Sequence, residues 1–166
     1  MVRVLGIDTS LRSTGFGVVE AEGNRLRAIE HGHLPMAARL RHSACLAGIS
    51  DGLTDVITRT RPDAVAIEGA FFFKNVRTAM VLGEARGAAI CACARLGLPI
   101  FEYAPRRVKQ AIVGFGGASK EQVRKMVMAL VALREEPQED AGDALALAIC
   151  HLHTRTGISA ANVVQV

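Results

Sequence analysis

The chain has 166 residues, half of them hydrophobic and 22% charged. That length and balance predict a single folded, soluble domain with a sizeable core. No apolar run is long enough to span a membrane, and the net charge of +4 is a moderate bias toward polyanionic partners.

Residues 3–8, 14–21 and 25–33 read as three successive strands, with Glu22-Gly23-Asn24 as a hairpin connection and Pro35 closing the meander. The chain enters the first strand without a signal-peptide pattern, which predicts a cytoplasmic protein. Residues 39–59 form an amphipathic helix, because Leu46, Ile49, Leu53 and Val56 recur at helical spacing. Ala64-Val65-Ala66-Ile67-Glu68 is a short apolar strand ending in a carboxylate. A second helix over 76–96, a strand over 98–103 and a proline-initiated helix over 105–113 follow. Gly114, Gly116 and Gly117 mark a flexible loop, and Ser119-Lys120-Glu121-Gln122 is a capping box for a helix reaching about residue 133. The last helix covers 140–153. Residues 154–166 show no strong pattern and read as a mobile tail beyond a single domain of residues 1–153. Three meander strands followed by helix–strand–helix–strand predict an α/β fold, one mixed five-stranded sheet flanked by helices. Cys45, Cys91, Cys93 and Cys150 lack zinc-site spacing and are expected to be buried thiols. His151 and His153 are expected on the surface at the end of the last helix.

Asp8 ends the apolar run Val4-Leu5-Gly6-Ile7, and Glu68 ends another. A carboxylate at the end of a buried strand is costly unless a cation, a proton or hydrogen bonds compensate it. Asp140 and Asp143, three apart, share one face at the start of a helix, where the dipole favours negative charge. Taken alone, Asp8 fits a turn cap and the Asp140/Asp143 pair fits ordinary helix-start preference. If the two strands are neighbours and the last helix crosses their ends, four carboxylates converge and repel unless divalent cations hold them. Hard oxygen donors point to Mg²⁺ or Mn²⁺, and a pair of such ions supports phosphodiester cleavage.

Several ordered segments resemble one family. They are Gly6-Ile7-Asp8-Thr9-Ser10 with Thr14-Gly15-Phe16-Gly17, Ala66-Ile67-Glu68, Leu82-Gly83-Glu84-Ala85-Arg86-Gly87, Tyr103-Ala104-Pro105, Val108-Lys109-Gln110 and Asp140-Ala141-Gly142-Asp143-Ala144. Together, over residues 1–153, the chain resembles the RuvC family of bacterial Holliday-junction resolvases. The resemblance implies a ribonuclease-H-like fold and a homodimer that nicks two opposed strands of a four-way DNA junction. It also implies two Mg²⁺ per site, replaceable by Mn²⁺, and cooperation with the RuvA–RuvB branch-migration complex. Asp8, Glu68, Asp140 and Asp143 match the family's acidic catalytic positions, and Phe71 matches its loop aromatic. Phe71, Lys74, Arg77, Arg106, Lys109, Lys120 and Arg124 are the expected DNA contacts, with Lys109 and Lys120 flanking the glycine loop. Three alternatives stay open at this point: a ribonuclease-H-like nuclease acting on RNA–DNA hybrids, a non-catalytic junction-binding module, and an actin-like ATPase or sugar kinase sharing the Asp-x-Thr opening.

Overall fold

A computed structural model describes residues 1–69, 75–156 and 164–166, with the side chains of 155 and 156 left aside. The elements run β1 (Val2–Asp8), β2 (Ser13–Glu22), β3 (Arg25–Pro35), α1 (His42–Thr60), β4 (Ala64–Glu68), α2 (Val76–Arg95), β5 (Ile100–Tyr103), α3 (Pro105–Val113), α4 (Lys120–Leu130), α5 (Glu139–Thr156) and β6 (Val164–Gln165). The sheet order is β3-β2-β1-β4-β5-β6. The meander β1–β3 is antiparallel, whereas β1–β4 and β4–β5 are parallel pairs.

The expected mixed sheet is therefore present, with one correction: it has six strands. Val164–Gln165 pairs antiparallel with β5, a two-residue ladder too short to leave a periodic signal in the sequence. Residues of the predicted tail up to Thr156 continue α5. The expectation of mobility for residues 157–163 falls outside the described residues.

Side-chain alternation sorts the sheet into two faces. Leu5, Ile7, Phe16, Val18, Val65 and Ile67 pack with α1 and α2 in one cluster. Val4, Val19, Ala66 and Tyr103 pack with α3, α4 and α5 in the other. By the same period of two, Gly6 and Asp8 on β1, Glu68 on β4, and Ser13, Gly15 and Gly17 on β2 face α5.

Helix α5 lies against this face with almost no side-chain spacing. A Cβ added to Gly6 would stand 1.8 Å from the Ala144 carbonyl oxygen, and one added to Gly15 would stand 2.1 Å from the Asp140 carbonyl oxygen. Only glycine permits such an approach of helix backbone to strand backbone. The inner side of α5 is itself small or apolar, with Ala141, Ala144, Leu145 and Ala148 fully buried.

His151 and Cys91 depart from their expected positions. His151 is buried, 2% exposed, because α5 continues past it against β5. Its Nδ1 shares a 2.7 Å hydrogen bond with the buried Tyr103 hydroxyl. Cys91 is exposed, while Cys45, Cys93 and Cys150 are buried as expected. It lies on the side of α2 turned away from the sheet.

Gly6→Ala tests the close packing of α5. The methyl group has no space to enter, so the helix must lift from β1, at a cost of at least about 2 kcal/mol. Urea denaturation with a well-determined slope measures it; stability equal to wild type would show that α5 does not rest on β1 at this point.

Candidate active site

The parallel register Ile7↔Ile67 sets Asp8 and Glu68 side by side at the ends of neighbouring strands. The seating of α5 on Gly6 and Gly15 carries its first turns over those ends. Asp8, Glu68 and Asp143 thereby line one cavity of about 280 Å³, together with Lys109 from α3 and Lys120 from the start of α4. Asp140, the fourth expected carboxylate, is not among the lining residues; it acts on Asp8 through its charge, and the Ser13 hydroxyl, on the same face of β2, donates a hydrogen bond to its carboxylate.

Burial and mutual repulsion act on the acidic groups in the same direction. Asp8 is pushed up to about 7, first by burial and then by Glu68, Asp143 and Asp140. Glu68 is raised by burial and by Asp143, and Asp143 by burial against the opposing pull of Lys120. The Lys120 ammonium is the internal counter-ion: its Nζ lies 2.6 Å from Glu139 Oε1 and 3.8 Å from Asp143 Oδ2. These contacts raise its own pKa.

Among the described residues, no three acidic, histidine or cysteine side chains close up into a ready-made metal cage. Ser13 holds Asp140, and Lys120 draws on Asp143. The carboxylates ring the cavity at coulombic range and repel one another. Hard oxygen donors under unbalanced negative charge fit a hard divalent cation.

An ion pair not foreseen from the sequence holds the Glu68 end of β4. Arg86 on α2 donates from Nε to the Glu68 carbonyl oxygen at 3.3 Å. Its guanidinium also pairs with Glu102 on β5. The only advance signal was the Arg86 of the Leu-Gly-Glu-Ala-Arg-Gly segment; its partner sixteen residues on belongs to another element. Ser13 was equally unmarked.

Of the expected DNA contacts among the described residues, two border the cavity and the others are distributed over the helices. Lys109 and Lys120 line it. Arg106 is exposed in the first turn of α3, and Arg77 is exposed in the first turn of α2. Arg124 on α4 pairs with Glu136. Phe71 and Lys74 lie outside the described residues.

Residues 4–151 match the family model described as crossover junction endodeoxyribonuclease RuvC. The chain is 50% identical to the crossover junction endodeoxyribonuclease RuvC of Pelobacter propionicus, over 96% of this chain and 93% of the relative. It is 49% identical to that of Halorhodospira halophila, over 94% and 93%. It is also similar to Thermus thermophilus RuvC solved in complex with a Holliday junction substrate, with a TM-score of 0.92, 30% identity and full coverage of both chains. The yeast mitochondrial Holliday junction resolvase shares the fold at a TM-score of 0.67 and 12% identity, over 93% of this chain and 79% of that one.

Two predictions follow from the charges of the site. Below its folded pKa of about 7, Asp8 in the metal-free native state holds a proton that the unfolded chain, at 3.8, has released. Stability without metal therefore rises as pH falls from above 7 toward 4, by as much as about 4 kcal/mol at about 1.4 kcal/mol per pH unit. Glu139, whose carboxyl Lys120 holds below the ordinary range, acts in the opposite direction under more acidic conditions. Mg²⁺ binding the native state should cancel the rise, and Asp143→Asn should raise the melting temperature in EDTA while shrinking the gain from Mg²⁺. Melting curves across pH decide it: a mutant that is less stable in EDTA and gains as much from Mg²⁺ as wild type would mean that the carboxylates do not act as one site.

For the ion pair, Arg86→Lys should raise the Mg²⁺ concentration needed for half-maximal cleavage severalfold while junction affinity holds. A single-point charge no longer bridges Glu102 and the Glu68 carbonyl as the planar guanidinium does. An unchanged Mg²⁺ titration would leave the pair with a purely structural role.

Proposed function

Because the chain belongs to the RuvC family of crossover junction endodeoxyribonucleases, we propose that its carboxylate cavity is the centre at which Holliday junctions are nicked. The protein is a structure-specific endonuclease of DNA recombination and repair, a phosphodiester hydrolase. The observation that carries the reading is the grouping of Asp8, Glu68 and Asp143 with Lys109 and Lys120 around one cavity, with Asp140 within coulombic range of Asp8. The incomplete carboxylate set expected of a non-catalytic binding module is not what this chain has.

Asp8, Glu68, Asp140 and Asp143 would hold two Mg²⁺, or Mn²⁺ in their place. When bound, the ions supply an activated water and stabilise the leaving oxygen of an in-line displacement. The protein's own groups do the rest. Lys109 and Lys120 face the phosphate and offset its charge, and Lys120 gives up Glu139 and Asp143 as the substrate arrives. Arg77, Arg106 and Arg124, with Phe71 and Lys74, track the surrounding strands through phosphate and base contacts. Asp8, at about 7, ties ion binding to deprotonation, so cleavage should increase as pH rises through neutrality.

One site cuts one strand, and a junction presents two equivalent strands. A two-fold homodimer answers that symmetry. The exposed Val76 and Met80 on α2, and the open space beside Gly83 and Gly87, support α2 as the pairing face. Residues 1–153 would form the nuclease domain. Among the described residues, no helix is long and apolar enough to cross a membrane; work on chromosomal DNA would take place in the cytoplasm. A partnership with the RuvA–RuvB branch-migration complex is the reading the family offers.

Asp8→Asn removes a ligand and leaves the basic surface. It should lower cleavage of a synthetic four-way junction by at least about 10³-fold, with junction affinity within about threefold of wild type. Near-normal nicking by the purified variant would remove Asp8 from the catalytic set. Wild-type enzyme offered a four-way junction, the matching linear duplex and an RNA–DNA hybrid should nick the junction alone; preference for the hybrid would move the protein to another branch of the fold.

A further inference from the structure

We propose that Phe115, in the loop joining α3 to α4, is a stacking platform for a nucleobase at or beside the branch point of the junction. This inference rests on the junction-cleaving function and adds a residue to it. Among the described residues, Phe115 is the one exposed aromatic side chain, at 50% of its surface. The other described aromatics, Phe16, Phe101 and Tyr103, are buried or partly buried in the core.

The position of the loop sets what the ring can meet. Lys109 precedes it on α3 and Lys120 follows it on α4, and both line the carboxylate cavity. Gly114 ends α3 in the left-handed region, at φ 95°, and turns the chain outward. The stem of Arg106 lies directly over Gly116, where an added Cβ would stand 2.4 Å from Arg106 Cγ. The ring is thus bracketed by glycines that offer no side chain to cover it. It stands on a backbone held by Arg106, in the loop between the two cavity-lining lysines.

An uncovered apolar ring in a loop flanked by basic residues has a natural partner in a flat base face. Base–aromatic stacking operates with every base and does not depend on hydrogen-bond readout. In a linear duplex both faces of an interior base are already stacked. At a branch point the helical continuity is interrupted, and a face becomes available. Phe115 therefore favours branched over linear DNA, and it does so through shape and not through sequence.

The chain contains no tryptophan, so Phe115→Trp introduces a single indole as a reporter. It is measured in the Asp8→Asn background, which prevents cutting. In free protein its emission should be quenched by iodide. At saturation with a synthetic four-way junction the emission should fall by at least about twofold, with little change on the linear duplex of the same arms. Phe115→Ala should weaken junction binding by about 5- to 150-fold, the range of one base stack, and leave duplex binding within about twofold. Phe115→Leu, apolar but not flat, should behave like Phe115→Ala. Melting temperatures equal to wild type confirm that these exposed-site variants are folded.

Equal emission changes on junction and duplex, wild-type binding by Phe115→Ala or Phe115→Leu, or an indole shielded from iodide in free protein would each overturn the proposal. The last outcome would place the ring in a protein contact. If wild-type protein itself shows no preference for the junction in a gel-mobility assay, the junction-cleaving function fails with it. Junction preference with an unresponsive indole overturns the role of Phe115 alone.

Discussion

The direct contact of α5 with β1 and β2 governs this molecule. The Ala144 and Asp140 carbonyls meet the strands where Gly6 and Gly15 leave no side chain. An ordinary helix-on-sheet layer is spaced by interlocking side chains. Here that spacing is absent, and the start of α5 drops to the level of the strand ends. Asp143 then shares a cavity with Asp8 and Glu68. The arrangement of acidic groups is thus a packing result first and an electrostatic one second. The apolar side of α5, with Ala141, Leu145 and Ala148 buried, supplies the free energy that holds mutually repelling carboxylates together.

The repulsion is moderated by the protein itself. Lys120 reaches in from the capped start of α4, and Ser13 satisfies Asp140. Arg86 and Glu102 brace the strand end that bears Glu68. These contacts come from different elements, so the site draws together β1, β2, β4, β5, α2, α3, α4 and α5. Burial is the largest single influence on Asp8, Glu68 and Asp143, and this is what makes the site responsive to pH.

Much of this was legible in the sequence, for identifiable reasons. Asp8 and Glu68 stood out because each closes an apolar run where a charge is unwelcome. The spacing of Asp140 and Asp143 placed them on one helix face. The capping box at Ser119 was readable from residue types and is present in both directions. The adjacency of β1 and β4 is different, because parallel pairing leaves no local mark. The expectation for His151 placed it at an exposed helix end, whereas α5 runs on to Thr156 and holds His151 against the Tyr103 hydroxyl on β5. Cys91 was misjudged for the opposite reason, since an apolar segment need not be covered on every side by its own chain. The Arg86–Glu102 pair was invisible because nothing in a sequence links charges on a helix and a strand. The sixth strand, two residues long, was below any period that can be counted.

The order in which the acidic residues occur along the chain has a consequence for the cell. Most of the chain separates Asp8 from Asp140, and α5 is also the centrepiece of one core cluster. During synthesis the β1–β3 meander and α1 emerge first, with the α5 side of the sheet still bare. No hydrolytic centre exists on such a nascent chain, and none exists on a fragment cut before α5. Competence to break DNA arrives together with the closure of the core. With the centre proposed here, a copy that ends before α5 is inert toward the chromosome, with no inhibitor required.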